Sequence, residues 1–227
     1  MLSASQIADR LDDINAPAEK RLIIRPTPDR DKLRDSGTAS VDLRLGTWFS
    51  TMRESKMSLL RVDDELAELA AEASLTEEQL KHVSTYVRGT ISANEANLTR
   101  MSYVPFGERF VLHPGNFILG VTLEWIRLSQ DIAGYVIGKS SWGRRGLIIA
   151  TAVGVHPNFT GCLTLELTNV AEVPIAIKPG MSICQLFLHD VVGTDRPSVR
   201  SGYSCARRPA LGKLRLDDFA KRLSRRQ

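Results

Sequence analysis

The chain has 227 residues, 43% of them hydrophobic and 25% charged, with a formal net charge of +4. That composition describes a soluble globular protein, long enough to bury a substantial core as one large domain or two small ones. No apolar run approaches the roughly eighteen residues of a membrane helix, and M-L-S-A-S-Q-I-A-D-R lacks the basic-then-apolar order of a secretory signal, so the cytoplasm is the expected setting and no membrane partner is indicated.

The N-terminal stretch 3–14 places Ile7, Leu11 and Ile14 on one helical face, with Ser3 or Ser5 as the cap and Asn15-Ala16-Pro17 as the stop. A short strand at 22–24 is halted by Pro26 and Pro28. Residues 39–49 alternate Val41, Leu43 and Leu45 against Ser40, Asp42 and Arg44, the pattern of a half-buried strand, with Gly46 as a bend or bulge. From 62 to 86 the pattern becomes helical and rich in Ala, Glu and Leu, and Ser74 or Thr76 could cap a helix there. This segment is too short for a core of its own and is read as an insertion into a single domain spanning 1–227. Residues 87–104 are polar and weakly patterned.

Strands and turns fill the rest. Strands are expected at 109–112, 117–126, 131–137, 147–151, 162–167, 173–177 and 183–192. His113-Pro114-Gly115-Asn116 marks one turn, and Lys178-Pro179-Gly180-Met181 has the Pro-Gly centre of a type II turn. Short, evenly spaced strands without crossover helices indicate a mainly β fold, a barrel or jelly-roll-like sandwich, and disfavour a parallel sheet. No glycine-rich phosphate loop leads from a strand into a helix.

The three cysteines, Cys162, Cys184 and Cys205, are far apart and form no C-x-x-C pair, which supports neither a disulfide scaffold nor a structural zinc site; each reads as a small buried hydrophobe. From 196 to 227, ten Lys or Arg stand against two acids, Asp217 and Asp218. Such a segment can meet nucleic acid, contact the phosphates of a small ligand, or be a solvated end. The aromatic interleaving of a single-strand platform is missing, which argues against nucleic acid.

Two pieces carry chemistry. Residues 138–146, G-K-S-S-W-G-R-R-G, have the composition of an anion site: glycines admit backbone N–H groups, hydroxyls donate, and guanidinium pairs bidentately with phosphoryl oxygens. A polar inter-strand turn would account for the same residues. In L-T-L-E-L-T-N, period two sets Leu163, Leu165 and Leu167 on one face and Thr164, Glu166 and Thr168 on the other, so Glu166 points away from the main core. It is either a solvated strand residue or an acid lining a cleft, suited to proton transfer.

With these pieces in order, the chain resembles the dCTP deaminase branch of the dUTPase-like superfamily. The matching segments are A-S-V-D-L-R-L-G at 39–46, L-H-P-G-N-F at 112–117, G-K-S-S at 138–141 with Arg144 and Gly146-Leu147, Thr151-Ala152, F-T-G-C-L-T-L-E-L-T-N at 159–169 and P-G-M-S-I-C-Q-L at 179–186. The resemblance implies a distorted, jelly-roll-like β-barrel that forms a homotrimer with active sites between subunits. It implies that Glu166 activates a water and shuttles protons, that Ser140 positions this water and the cytosine amino group, and that Ser141 and Arg144 contact phosphate or support the site. Thr151 and Ala152 would abut the base, Gln185 would belong to the surroundings, and Arg207, Arg208 and Lys213 would contact phosphate as the C-terminal segment closes over the nucleotide. Magnesium would bind through the substrate triphosphate, whose charge Lys139 and Arg144 help to balance. Zinc is not expected, because the H-x-E and P-C-x-x-C ligands of the zinc deaminases are absent.

The implied reaction is hydrolysis of dCTP to dUTP and ammonia. Two departures from the family pattern bear on it. His156 stands where dUTPases, and commonly the deaminases too, carry an aspartate, and a neutral histidine could itself act as a base in a nucleotide site. The 148–152 segment, I-I-A-T-A, is one residue short and lacks a histidine often found there. A dUTPase or other pyrimidine nucleotide hydrolase of the same fold, and a non-catalytic trimeric nucleotide-binding protein, remain the alternatives.

Overall fold

The computed structural model describes residues 1–13, 15–52, 99–150, 154–193 and 205–209. The helical insertion expected at 62–86 and most of the basic 196–227 segment lie outside these residues. The chain divides into two compact units, Met1–Thr51 with Met101–Leu211 and Met52–Arg100 with Gly212–Gln227. Apart from Met52, Thr99 and Arg100, the elements below belong to the first unit.

Helix α1 (Ala4–Asp12) begins at Ser3, which forms a reciprocal capping box: Gln6 N–H donates to Ser3 Oγ at 3.2 Å and Ser3 N–H to Gln6 Oε1 at 2.9 Å. The choice left open between Ser3 and Ser5 thus falls to Ser3. The helix buries Ile7, Ala8 and Leu11, and Arg10 ties it to Asp190 at 2.8 Å. Strand β1 (Ile23–Arg25) follows a single 3-10 turn (Ala18–Lys20) and stops at Pro26. Helix α2 (Arg30–Asp35) escapes a hydrophobic-period reading because Leu33 is its one buried residue. Its start is chemical, since Asp29 accepts the Lys32 N–H at 3.2 Å, and that backbone bond is the main cause holding the Asp29 carboxyl below its ordinary value.

The remaining strands are β2 (Ser40–Arg44), β3 (Trp48–Met52), β4 (Thr99–Tyr103), β5 (Phe110–Leu112), β6 (Phe117–Arg127), β7 (Ile132–Gly138), β8 (Leu147–Ile149), β9 (Gly154–Val155), β10 (Thr160–Asn169), β11 (Ile175–Ile177) and β12 (Ser182–Asp190), with a one-turn helix α3 (Ser140–Gly143) between β7 and β8. The main sheet runs β4-β3-β6-β10-β8, with β1 also paired to β6; a second sheet runs β2-β12-β7-β9, and β5 and β11 form a ribbon. The β6–β10, β10–β8, β2–β12 and β12–β7 pairings are antiparallel. This is the expected mainly β, jelly-roll-like architecture with an N-terminal helix. Leu43, Leu45, Val136, Leu165, Leu167, Cys184 and Leu186 join one buried cluster.

Several boundaries differ from the sequence reading, and three of the differences have a local reason. The 39–49 strand is two strands around Gly46, whose N–H donates to Val121 O at 2.7 Å; a Cβ there would lie 2.9 Å from that same oxygen. β11 starts at Ile175 because Pro174 has no N–H to give a ladder. β4 falls in the polar 87–104 stretch, and its T-R-M-S-Y exposure pattern shows no alternation that a period-two search could find.

The two sheets meet at a corner. Arg44, Leu45 and Gly46 lie against the 121–124 part of β6: Leu45 bridges Thr122, and Arg44 sends its backbone N–H to Glu124 Oε2 at 2.8 Å and its Nε to Oε1 at 2.7 Å. β6 also changes register with β10 here, between the pairs Cys162↔Trp125 and Thr164↔Val121. The buried Thr122 hydroxyl accepts Leu163 N–H and donates to Glu124 O, both at 2.9 Å, so the irregularity leaves neither group unpaired.

Glu124 is 1% exposed, and a carboxylate so placed needs its cation. Arg44→Met is expected to lower unfolding free energy by about 2–4 kcal/mol, under the usual figure for a fully buried pair because the Arg44 side chain keeps 40% exposure. Replacing both partners with apolar residues is expected to cost less than Arg44→Met alone; urea unfolding of the two variants measures both.

Candidate functional site

The turn from β7 into β8 holds the hydroxyls and cations together. Lys139 caps α3, and its N–H donates to Ile183 O at 3.0 Å. Ser140, Ser141 and Arg144 are exposed on the single turn that follows. Arg144 N–H closes the turn onto Ser140 O at 3.0 Å, and Arg145 Nη1 is taken up by Ser141 O at 2.6 Å. Trp142 packs against the core and donates Nε1 to Ser182 O at 3.0 Å. Gly146 ends the segment at φ +87, where an added Cβ would lie 2.5 Å from Ala171 Cβ; its carbonyl accepts Val170 N–H at 2.9 Å.

Lys139 Nζ reaches Asp42 Oδ2 at 2.5 Å and Ser182 Oγ at 3.2 Å. Gln185 lies opposite Asp42 across β12 and β2, and donates to Asp42 Oδ1 at 3.3 Å and Ser40 Oγ at 3.2 Å. Lys139, Ser140, Ser141, Arg144 and Gln185 therefore share one neighbourhood. Asp42 and Ser182, its two further members, were not singled out from the sequence. The usable signal was the strand alternation, which sets Asp42 outward in S-V-D-L-R, the same stretch that carries Leu43 inward.

Glu166 sits on the other sheet. Exposure alternates strictly along β10, with the leucines buried and Glu166 half-buried on the opposite face. Its cross-strand partner is Leu119 on β6, and its carbonyl accepts Ala150 N–H at 2.9 Å beyond the end of β8. One step along, Thr168 pairs with Phe117 on one side and Ile148 on the other, both exposed, so the acid stands beside an apolar strip. Among the described residues no hydrogen bond or ion pair joins Glu166 to Ser140 or Arg144.

The other sequence-derived positions are scattered. Thr151, Ala152 and Lys213 lie outside the described residues. His156 is exposed and lines an open depression of about 540 Å³ together with Ala133, Tyr135, Gly154 and His189; neither Ser140 nor Glu166 is in that lining. Cys205 N–H donates to Thr160 O at 2.6 Å and Cys162 N–H to Ala206 O at 2.8 Å, so residues 205–206 run beside the start of β10. The Arg208 guanidinium lies 4.1 Å over the Trp48 ring. Among the described residues, no three His, Cys, Asp or Glu side chains gather as a metal-holding group, and no helix is long and apolar enough to cross a membrane.

The cysteines correct the expectation of three buried hydrophobes. Cys184 is buried, Cys162 is half-buried and Cys205 is exposed, because the last lies at the surface in a left-handed conformation, φ 65. Burial, with Glu124 and Asp42 adding to it, pushes the Cys184 thiol up to about 12; burial also raises Cys162, against the opposing charge of Arg207.

A jelly-roll-like pair of antiparallel sheets thus carries a serine–arginine turn between β7 and β8 and an outward glutamate on β10. A family model described as "dCTP deaminase-like" matches residues 1–191, and the chain belongs to that family of hydrolases. It is 33% identical over 208 residues to a "dCTP deaminase, dUMP-forming" of Dictyoglomus turgidum, covering 89% of this chain and 92% of that one. It is 34% identical over 192 residues to a "dCTP deaminase" of Halorubrum lacusprofundi, covering 84% and 77%. A "dCTP deaminase, dUMP-forming" of Corynebacterium diphtheriae reaches 48% identity over 106 residues, 46% of this chain and 57% of the relative, so that match spans little more than half of the relative's length. Among solved structures, the 2'-deoxycytidine 5'-triphosphate deaminase of Agrobacterium tumefaciens aligns with a TM-score of 0.50 at 21% identity, over 82% of this chain and 45% of that one, a likeness of fold.

Thiol chemistry checks the local electrostatics. With excess iodoacetamide at pH 8, Cys205 is expected to alkylate first and Cys162 more slowly, with Cys184 reacting only on unfolding. Peptide mass mapping over time reads the order, and early labelling of Cys184 would contradict its burial.

Proposed function

We propose that this protein hydrolyses dCTP to dUTP and ammonia with a water activated by Glu166. The observation that carries the reading is the phase of β10, which turns one carboxylate away from a leucine core and leaves it half-buried beside the end of β8. In this reading Glu166 takes a proton from water as the oxygen adds to C4 of cytosine. It returns that proton to the 4-amino nitrogen of the tetrahedral intermediate, the second water proton ends on N3, and the C4–N bond breaks to release ammonia while C4 becomes a carbonyl. Ser140 holds the water and the amino group in line, and Ser141 and Arg144 contact the phosphates. Thr151, Ala152 and His156 are assigned to the nucleotide pocket, and Arg207, Arg208 and Lys213 to phosphate contacts from the C-terminal segment. Magnesium enters only as an ion carried on the triphosphate, where it lowers the charge that the protein's cations must meet.

The reading includes a homotrimer with sites between subunits. Two observations support that part: no hydrogen bond joins Glu166 to the Ser140–Arg144 turn among the described residues of one chain, and the strip beside the acid carries exposed Phe117 and Ile148. A second copy could supply the missing turn and cover the strip.

A second product outcome, release of dUMP and pyrophosphate, is favoured by the likeness to the dUMP-forming relatives of Dictyoglomus turgidum and Corynebacterium diphtheriae. His156, at the place of the dUTPase aspartate, favours stopping at dUTP.

Purified protein with dCTP, dCMP or dUTP, with and without magnesium, separates the readings when ammonia and pyrophosphate are measured independently. Ammonia without pyrophosphate from dCTP is the expected result, and ammonia with pyrophosphate supports the second. Pyrophosphate from dUTP alone marks a dUTPase, and tight binding without either product marks a non-catalytic protein. Glu166→Gln is expected to lower deamination by about 10²–10⁴-fold while leaving the assembly size intact. A near-unaltered rate in that variant would sink the mechanism.

A further inference from the structure

The turn carries two cations at Lys139 and Arg144, and their surroundings divide their labour. Lys139 Nζ is committed to Asp42 at 2.5 Å and to Ser182 at 3.2 Å, and its side chain is only 27% exposed. Asp42 is itself held, since Gln185 occupies its second oxygen and is anchored in turn on Ser40. Ser182 receives the turn a second time through the Trp142 indole. The chain Ser40–Gln185–Asp42–Lys139–Ser182–Trp142 thus links β2, β12 and α3 with both ends fixed. Arg144, by contrast, is exposed, and among the described residues its guanidinium enters no hydrogen bond or ion pair.

We propose that Asp42 is a positioning residue: it neutralises Lys139 and makes it a strut that sets α3, so that Arg144, and not Lys139, meets the substrate's phosphates. An isolated surface ion pair contributes little, but this one is seated in a network that spans both neighbouring strands and the turn. A phosphate drawn to Lys139 would have to displace a carboxylate already in contact and leave Asp42 facing the incoming anion. Arg144 needs no such exchange, and its planar fork matches phosphoryl oxygens better than an ammonium does. The ligand's identity rests on the deaminase reading; the division of labour between the two cations does not.

The test uses full-length protein and two probes, dCTP for turnover and inorganic tripolyphosphate with magnesium for binding. Asp42→Asn and Lys139→Met are expected to weaken tripolyphosphate binding by the same factor, about three- to tenfold, through loss of the set turn, while Arg144→Met weakens it by about tenfold or more. The reversed pair, Asp42→Lys with Lys139→Asp, is expected to return binding to within about twofold of the unaltered chain, because a strut works with either polarity whereas a phosphate ligand does not. With dCTP, the two single variants are expected to lower kcat more than they raise KM. Three outcomes overturn the proposal: Lys139→Met matching Arg144→Met while Asp42→Asn is neutral or binds more tightly, no effect from either single variant, or no tripolyphosphate binding by the unaltered chain. Thermal unfolding midpoints of all variants separate these effects from loss of the fold. Absence of ammonia from the unaltered protein would sink the deaminase reading alone, because the tripolyphosphate comparison proceeds without turnover.

Discussion

The structure depends on a carboxylate that water does not reach. Glu124 lies at the corner where the β2–β3 bend meets β6 of the main sheet, and it takes both a backbone and a side-chain N–H from Arg44. Burying that charge is tolerable only because the guanidinium and amide arrive together. Once they do, Leu45 is fixed on Thr122 and Gly46 on Val121, and the two sheets are held at one angle. The corner also marks the point where β10 shifts register on β6, with Trp125–Arg127 paired to the start of β10 and Phe117–Val121 paired to the part that carries Glu166. Burial raises the Cys184 thiol on the second sheet, and the Glu124 charge adds to it.

Around the turn at α3, charge is arranged by commitment. Lys139 and Arg145 are each engaged within the chain, by Asp42 and by the Ser141 carbonyl. Arg208 covers an indole face. What stays outward on the turn is two hydroxyls and one guanidinium, a small set with the reach and geometry for phosphate. The acid differs: among the described residues no ion pair holds Glu166, and its position follows from strand phase and apolar neighbours.

Much of this was legible in the residues. Alternation in S-V-D-L-R-L and L-T-L-E-L-T-N located β2 and β10 and their faces, Gly46 marked a bend, and Ser3 was one of two caps offered for α1. Elements built on chemistry without periodicity were harder to read: α2 rests on a single capping carboxylate, and β4 has no clean inward face. Glu124 was hidden because F-I-L-G-V-T-L-E-W-I-R looks like an ordinary half-buried strand, and its partner lies eighty residues earlier. Asp42 was hidden for the opposite reason, since an outward acid on a strand resembles a solvated one until its cross-strand partners are known. The spread of the cysteines over buried, half-buried and exposed positions is likewise a property of three different neighbourhoods, and no rule about the residue type separates them.

The register shift between β6 and β10 has one more implication. Three residues of β6, 122 to 124, stand opposite the single residue 163. The surplus is two, an even number, so odd positions of β10 and even positions of β6 continue to face the core on both sides of the irregularity. Parity, more than any contact, is what keeps Glu166 outward and Leu165 inward. Losing or gaining one residue within this bulge would reverse the faces of one strand beyond it, sinking the acid into the leucine core or turning the leucines to solvent. Length changes at this point of the lineage should therefore come in pairs, although no residue of the bulge is among those assigned to the chemistry.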